Sequence, residues 1–190
     1  MILIILLFGL ILRLLNLNQS LWLDEAINAQ AVSAYSYKDL IIKYSIGDFH
    51  PPLYHILLKF ITDIFGNTEA VLRLPSVLFG TATIFVTYLI GRELFDKKTG
   101  VIAAILMSCA PLAIYYSQEA RMYSLAGFFA SVSVYFFIRV LGSAKILDWL
   151  GFITSTALVL YSDYLPYFLI PTYILFLVFY RKSLPKAKFS

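Results

Sequence analysis

Two adjacent carboxylates, Asp24 and Glu25, follow Trp22 and Leu23 at the end of the first apolar part of the chain. Paired carboxylates act as general bases toward hydroxyl groups or as ligands of a divalent ion. A structural interpretation competes with this one. Asp24 caps a helix that starts at Glu25, and the second acid interacts favourably with the helix dipole. Spacing alone leaves both interpretations open.

A second polar group follows an apolar stretch that ends in two tyrosines. Its members are Gln118, Glu119, Arg121 and Tyr123. A glutamate and an arginine at the edge of the hydrocarbon are costly unless they are paired or functional. The planar guanidinium of Arg121 also suits a phosphate group. The alternative is a surface pair between Glu119 and Arg121 inside an aromatic belt.

Two further positions are weaker candidates. His50 precedes Pro51 and Pro52, and an imidazole at such a rigid corner can bind an anion or orient a substrate. The alternative is an ordinary loop histidine before a helix that starts at the prolines. Asp163 lies in a short break between two apolar stretches, where it is either functional or a simple turn former. We interpret His55, on the helix itself, as structural.

Composition places these residues in a membrane protein. The chain has 190 residues, of which 61% are hydrophobic and only 14% are charged. An ordinary soluble domain carries about 25% charged residues, so lipid must be the solvent for much of this surface. The single cysteine, Cys109, excludes an internal disulfide and a Cys/His metal cluster. We expect an all-α, polytopic bundle of transmembrane helices that forms one membrane domain over residues 1–190.

Six apolar stretches are the predicted membrane spans, and the first is interpreted as a retained span because it lacks a basic leader and a cleavage site. Several are shorter than the ~20 residues that a straight span needs. A large loop, residues 18–69, separates the first two. The predicted spans are 2–17, 70–94, 101–117, 123–141, 149–162 and 165–180.

The charges between these spans predict the topology. Nine of the fifteen Lys and Arg residues lie in segments 91–98, 139–148 and 181–190, whereas eight of the eleven acids lie in loop 18–69, in turn 118–121 or at residue 163. The positive-inside rule places the basic set in the cytoplasm. We therefore expect a multi-pass protein of the cell membrane with both termini cytoplasmic, and all three acidic regions on the outer face.

The large loop has predicted structure of its own. Residues 24–34 are rich in alanine, residues 37–44 place three apolar side chains on one face, and Pro51-Pro52 is suited to start a helix over 53–65. The third helix is short and charged for a membrane span. We interpret all three as juxtamembrane helices in the membrane interface, and the alternative makes 53–66 a true span.

These motifs resemble those of the GT-C glycosyltransferases, in particular the dolichyl-phosphate-mannose protein mannosyltransferases and the bacterial aminoarabinose transferases. Order and spacing agree over roughly residues 10–140. The matching segments are LWLDEA (21–26), HPPLY (50–54), RLPS (73–76), GRELF (91–95) and QEARMY (118–123). Members of that family usually have about twice as many spans, so the resemblance implies that this chain is the N-terminal part of a longer enzyme.

The resemblance also implies roles for single residues. Asp24 corresponds to the catalytic base of the family. Our own hypothesis is that Glu25, beside it in the catalytic pair, orients the site or the acceptor. Glu119 and Arg121 correspond to the second acidic position and its neighbouring arginine. We expect Gln118, His50 and Tyr123 to join them in binding the substrate or the donor phosphate. Many relatives carry a histidine where this chain has Asp163, which leaves the role of that residue open.

The implied reaction is an inverting transfer of a sugar from a polyprenyl-phosphate carrier to an acceptor hydroxyl on the extracytoplasmic face. The expected partners are the lipid bilayer, the lipid-linked sugar donor, an acceptor protein or glycolipid, and the missing C-terminal half. We expect no nucleic-acid partner. No cofactor is certain, and a divalent metal remains open because the sequence shows no committed ligand set.

Two other functions are compatible with the sequence. The chain could be a non-enzymatic lipid-binding or scaffold subunit that kept the fold. It could also be a component of a transporter for lipid-linked sugars. Transporters usually place charges near the bilayer midplane and show internal repeats, whereas the acids here lie toward one surface and no repeat is evident.

Overall fold

A computed structural model describes residues 1–48, 50–143 and 145–180 of the chain, and every regular element within these residues is a helix. The predicted all-α fold class is therefore confirmed. The first helix, α1, spans Ile2–Leu14. A loop then leads to α2, Leu23–Ala34, which has both Asp24 and Glu25 in its first turn. Asp24 is thus a residue of the helix, and the N-cap position belongs to Trp22.

The rest of the large loop is helical too. The short helix α3, Tyr37–Asp39, continues as a π-helical turn, Leu40–Tyr44, and as α4, Ser45–Gly47. Helix α5, Leu53–Phe65, has the bounds predicted from the sequence. It ends at Gly66, whose φ of 88° is a left-handed conformation that glycine adopts without a steric cost.

Helices α6, Glu69–Leu94, and α7, Lys97–Cys109, form a hairpin. Asp96 begins the second helix because its side chain accepts a hydrogen bond from the Thr99 N–H at 2.7 Å. The two helices pack so closely that a Cβ on Gly91 would lie 2.8 Å from the Cα of Gly100. Small residues at this crossing therefore set the distance between the helices.

The segment predicted as one span at 101–117 is broken in the structure. Helix α7 ends at Cys109, and α8, Pro111–Ser117, begins with a proline that cannot continue the preceding hydrogen-bond ladder. The axes of the two helices differ by 59°. The bend directs the end of α8 and the turn that follows it toward the large loop.

A buried arginine stabilises this break. The Arg13 guanidinium donates to the Ser117 hydroxyl at 3.1 Å and to the carbonyls of Met107 and Ser108 at 3.2 Å. The carbonyls at the end of a helix carry partial negative charge and lack partners within the helix. Arg13 supplies those partners, so α1 is tied to both sides of the bend.

The remaining helices follow in sequence as an antiparallel group. Helix α9 spans Tyr123–Ser143 and α10 spans Ile146–Leu160. A 3-10 turn, Leu165–Phe168, then leads into α11, Leu169–Tyr180. Ser133 on α9 lies within 2.8 Å of the Tyr173 hydroxyl on α11, which links the first and third of these helices by a buried hydrogen bond.

The helix α6 is central, because it packs against α1, α5, α7, α8 and α9. Two apolar clusters bury its sides. Beneath the large loop, α2 and α5 meet the start of α6 through Val32, Leu58 and Leu72. At the other end, α1 and α7 meet α6 around Ile84. The large loop is therefore packed onto the helix bundle as part of one core.

Within the described residues, α6 and α9 are each long and apolar enough to cross a membrane, and the bent pair α7–α8 can form a third crossing. Helices α1 and α10 and the run Leu165–Phe179 are apolar but shorter. Six crossings thus stay a prediction. The predicted cytoplasmic tail, 181–190, lies outside the described residues.

Candidate active site

The first turn of α2 and the turn before α9 meet in an ion pair. Arg121 Nη1 lies 3.3 Å from Asp24 Oδ2, and the Asp24 side chain is 35% exposed. The structure thus brings together two of the residues singled out from the sequence, which lie far apart along the chain. The Asp24 carboxylate is therefore accessible from solvent, whereas the Arg121 side chain is only 10% exposed.

Arg121 is fixed by three further contacts. Its carbonyl accepts a hydrogen bond from the Ser76 hydroxyl at 3.2 Å. Its guanidinium lies 5.5 Å from the centre of the Tyr123 ring, a cation–π distance, and Nη2 donates to the Tyr123 hydroxyl at 3.4 Å. Arg121 Nε is buried and has no hydrogen-bond partner among the described residues. The contacts to Ser76 and Tyr123 therefore hold the guanidinium beside Asp24.

Glu25, the next residue, is fully buried in a bidentate ion pair with Arg73 of α6. Arg73 Nε donates to Oε1 at 2.8 Å and Nη2 donates to Oε2 at 2.6 Å. Glu25 Oε1 also accepts the Ala120 N–H at 2.7 Å. Both carboxylate oxygens are therefore occupied, and Glu25 joins α2 and α6 to the turn that carries Arg121.

Arg73 also holds the loop before α2. Its Nη1 donates to the carbonyls of Leu17 and Gln19, both at 2.7 Å, and its Nη2 donates to that of Ser20 at 3.3 Å. A guanidinium has five N–H donors, and all five are used by Glu25 and these carbonyls. We call Glu25, Arg73 and the bonded Ala120 N–H the buried clamp.

A second link fixes the turn from the opposite side. Asn28 Nδ2 donates to the Ala120 carbonyl at 2.9 Å, and Asn28 Oδ1 lies 3.1 Å from His55 Nε2. Because Asn28 presents its oxygen to the ring, His55 Nε2 must carry the proton. Burial lowers the pKa of His55 to about 4, so the imidazole is neutral at ordinary pH.

His50 lies near this link without contacting the Asp24–Arg121 pair. Its Nδ1 is 3.5 Å from Asp48 Oδ2, and the same oxygen is 3.9 Å from His55 Nε2. No contact between His50 and Asp24 or Arg121 occurs within the described part of the chain. Its predicted contact with a donor phosphate stays a prediction.

Gln118 and Glu119 lie on the other side of the turn. Gln118 Nε2 donates to the carbonyls of Leu12 and Leu15, both at 3.0 Å, and so ties the turn to the end of α1. Burial raises the pKa of Glu119, and the nearby charge of Glu25 adds to the effect. Glu119 contributes to the site as a carboxyl group that protonates more readily than usual.

A cavity of about 290 Å³ opens beside the buried clamp. Its floor is formed by Glu25, Arg73 and Glu119, and its walls combine aromatic rings with neutral polar side chains. The wall residues are Asn16, Gln19, Ser20, Trp22, Tyr115 and Gln118. We refer to this space as the outer cavity.

Asp163 forms a turn. Its Oδ1 accepts the Leu165 N–H at 3.0 Å, a local bond in which an aspartate replaces a backbone acceptor. The break that contains it lies against the start of α5, because the Leu53 N–H donates to the Tyr161 carbonyl at 3.3 Å. Asp163 thus lies on the loop side of the bundle, with no contact to Asp24 or Arg121 among the described residues.

Sequence reasoning did not assign a role to Arg73 or Asn28 and treated His55 as structural. Arg73 was noticed only as part of a family motif. An arginine in an otherwise apolar helix is costly unless it is paired, and this signal could have led to Glu25 as its partner. Asn28 gave no such signal, since a polar residue in a loop helix is unremarkable. Within the described residues, no cluster of three or more His, Cys, Asp or Glu side chains is arranged to hold a metal ion.

Comparison with known proteins gives two matches at the level of sequence. The family model described as dolichyl-phosphate-mannose-protein mannosyltransferase matches residues 49–190. A Bacillus subtilis (strain 168) protein named "Putative mannosyltransferase YkcB" is 23% identical over 159 residues, which is 78% of this chain and 22% of that protein. The chain thus spans about a fifth of the length of the curated relative that it matches. No solved structure is significantly similar to it.

Proposed function

Since the chain belongs to the dolichyl-phosphate-mannose-protein mannosyltransferase family, we propose that it forms the catalytic part of a membrane glycosyltransferase that moves a sugar from a polyprenyl-phosphate carrier to an acceptor hydroxyl. Mannose is the first candidate sugar, because the family and the Bacillus subtilis relative are both named for it. The proposal places the reaction on the extracytoplasmic face and both termini in the cytoplasm.

One observation carries the proposal: of the two adjacent acids, only Asp24 keeps an accessible carboxylate. Its side chain is 35% exposed and is paired with Arg121, whereas that of Glu25 is 0% exposed. A general base must reach the proton that it removes. We therefore assign the base to Asp24, and we assign Glu25 as a positioning residue that holds Asp24 and Arg121 through the buried clamp.

The proposed step inverts the configuration at the anomeric carbon of the transferred sugar. The acceptor hydroxyl gives its proton to the Asp24 carboxylate as its oxygen bonds to that carbon. The bond between the carbon and the phosphate oxygen breaks, and its electron pair leaves on the polyprenyl phosphate. Arg121 neutralises the negative charge that grows on the departing phosphate. The position of the Arg121 guanidinium, 3.3 Å from the partly exposed Asp24 carboxylate, supports this role, because a guanidinium can donate two parallel N–H bonds to one phosphate.

The role of Asp24 is tested with Asp24→Asn, which keeps the size of the side chain and removes its basicity. We expect single-turnover transfer from polyprenyl-phosphate mannose to fall ~10²–10⁴-fold, the usual contribution of general-base catalysis, while donor binding stays nearly unchanged. Asp39→Asn is the matched control, since Asp39 is an acid of the same loop that pairs with Lys43 away from the site. Near-normal transfer by Asp24→Asn would contradict the role of Asp24 as general base and would indicate that it is only a structural partner of Arg121.

A further inference from the structure

The outer cavity has a chemical character different from that of the Asp24–Arg121 pair. Asp24 and Arg121 do not line it, and its one cation is Arg73. All five N–H donors of Arg73 are used by Glu25 and the three carbonyls of the preceding loop. The cavity therefore has no spare positive charge for a phosphate, and its floor carries two carboxyl groups. A neutral ligand suits this environment better than an anion.

Two aromatic side chains give the cavity flat apolar walls. Trp22 is 44% exposed and Tyr115 is 56% exposed. Each ring thus presents area that no other side chain covers. The face of an aromatic ring carries partial negative charge and attracts the weakly positive C–H groups on one face of a pyranose.

Gln118 supplies an oriented acceptor. Its Nε2 donates to the carbonyls of Leu12 and Leu15, so the amide nitrogen faces α1 and the assignment of nitrogen and oxygen is fixed by those two acceptors. The amide oxygen then has no hydrogen-bond partner among the described residues. A hydroxyl group in the cavity can donate to it, and Glu119 on the floor can accept a second one.

The size of the cavity limits the ligand. At about 290 Å³ it lies near the lower end of small-molecule sites, roughly 300–1,000 Å³. A single sugar ring fits such a volume, and a folded peptide segment or an oligosaccharide does not. Aromatic walls with a few convergent polar groups are also the usual lining of a small-molecule site.

We propose that the outer cavity binds one uncharged sugar ring, stacked against Trp22 and Tyr115 and hydrogen-bonded to Gln118 and Glu119. This inference rests on the proposed function, because it gives the ring a place beside the reacting groups. The ring comes from one of two sources: the sugar of the lipid-linked donor, or a carbohydrate acceptor.

The fluorescence of Trp22, a wall residue of the outer cavity, reports sugar binding in the test. Trp22 and Trp149 are the two tryptophans of the chain, and Trp149 lies on α10, away from the cavity. In a Trp149→Phe background, methyl α-mannopyranoside is titrated into the purified protein. We expect a saturable change in Trp22 fluorescence. Mannitol, which has hydroxyl groups but no ring face, should give no such change.

The variant Tyr115→Ala, in the same background, should weaken the apparent affinity for methyl α-mannopyranoside roughly 3–10-fold, which is the size of effect expected for the loss of one aromatic stacking contact. Tyr164→Ala is the matched control, because Tyr164 is a similarly exposed tyrosine outside the cavity. The absence of a saturable change, an equal response to mannitol, or full affinity in Tyr115→Ala would each overturn the proposal.

Competition binding and a transfer assay distinguish the two sources of the sugar ring. If the cavity holds the donor sugar, polyprenyl-phosphate mannose saturates the Trp22 signal and competes with methyl α-mannopyranoside. If it holds an acceptor, methyl α-mannopyranoside still binds when the donor site is filled with polyprenyl phosphate mannose, and it becomes mannosylated. Binding is read separately from transfer. A missing fluorescence response together with Asp24-dependent transfer would reject the cavity proposal alone, whereas sugar binding with Asp24-independent transfer would reject the catalytic proposal alone.

Discussion

Two ion pairs lie side by side in this molecule and differ in almost every physical respect. Arg73 and Glu25 make two short hydrogen bonds, and their side chains are 5% and 0% exposed. Arg121 and Asp24 approach to 3.3 Å in a single contact, with the acid 35% exposed. The acids are neighbours in sequence, yet the Glu25 side chain is fully buried and the Asp24 side chain is partly exposed.

The difference shows how a helix turn separates two roles. Successive residues on a helix point in directions about 100° apart because there are 3.6 residues per turn. One acid of the pair can therefore be anchored in the core while the next remains free to meet a substrate. The anchored acid fixes the backbone, and the backbone fixes the position of the free acid. Geometry of this kind is what catalysis requires, since small displacements of a base are costly.

The largest expected effect comes from breaking the buried pair. Arg73→Met leaves the buried Glu25 carboxylate without its cationic partner, which typically costs ~3–5 kcal/mol of folding free energy. Asp24→Asn should cost much less, because its carboxylate is partly solvated. Thermal unfolding in detergent micelles measures both. Equal destabilisation by the two variants would contradict the separation of roles.

A double variant sharpens this test. Glu25→Met combined with Arg73→Met replaces both charges by apolar groups of similar size, which is often far less destabilising than breaking one partner. We therefore expect the double variant to recover part of the stability that Arg73→Met loses. The recovery is partial because the three loop carbonyls that Arg73 held and the Ala120 N–H that Glu25 accepted stay without these partners. Transfer should stay reduced, because the bond from Glu25 to the Ala120 N–H is also gone. Full activity in the double variant would show that the clamp does not position the site.

The pH dependence of stability is the next largest effect. The pKa of His55 is depressed to about 4 in the folded protein, against ~6.5 for an exposed histidine. As the pH is lowered, the unfolded chain therefore binds a proton before the folded protein does. The stability that the neutral His55 ring contributes is complete above pH 6.5 and is lost as the pH falls toward 4. The loss amounts to about 3 kcal/mol. In His55→Gln the loss of stability between pH 6.5 and 4 should be smaller than in the wild type.

Arg121 should behave differently from Arg73. Arg121→Ala should weaken binding of the lipid-phosphate donor and slow turnover, because the phosphate charge is present in both the ground state and the transition state. Arg121→Lys should restore only part of this, since an ammonium cannot form two parallel bonds. The effect is measured as equilibrium binding of the donor to the wild type, to Arg121→Ala and to Arg121→Lys. Unchanged donor affinity in Arg121→Ala would contradict a donor-binding role and would indicate that Arg121 is only a structural partner of Asp24.

The smallest effect concerns the second link to the turn. Asn28→Ala removes the bonds to the Ala120 carbonyl and to His55, and hydrogen bonds of this kind contribute about 1 kcal/mol each. We expect a loss of roughly 1–3 kcal/mol, since buried groups are left without partners. Transfer should fall only modestly while the buried clamp remains. Gln30→Ala, on the exposed side of the same helix, serves as the control.

Much of this architecture could be predicted from the sequence, because it depends on local patterns. The apolar stretches gave the helices, and the proline pair gave the start of α5. The proximity of Asp24 and Arg121 followed from placing their loops on one face of the membrane by charge. Pro111 also carried a local signal for the break between α7 and α8, although the segment was interpreted as one span.

The rest could not be predicted, because it depends on which residues meet across long separations. Nothing in the local sequence indicates that Glu25 pairs with Arg73 while Asp24 pairs with Arg121. That choice depends on the rotation of α2 about its axis once its apolar face packs on α5 and α6. The protonated nitrogen of His55 likewise depends on Asn28, and so on the packed structure.

The sequence separations within the clamp also imply an order of biosynthesis. Glu25 and Arg73 are 48 residues apart, whereas Glu25 and Ala120 are 95 apart. A chain that emerges from the ribosome N-terminal end first can therefore close the Glu25–Arg73 pair while the turn at 118–122 is still being made. The later segment then docks onto a carboxylate that is already held in place. The nascent chain can thus anchor Glu25 before the turn that carries Arg121 has been synthesised.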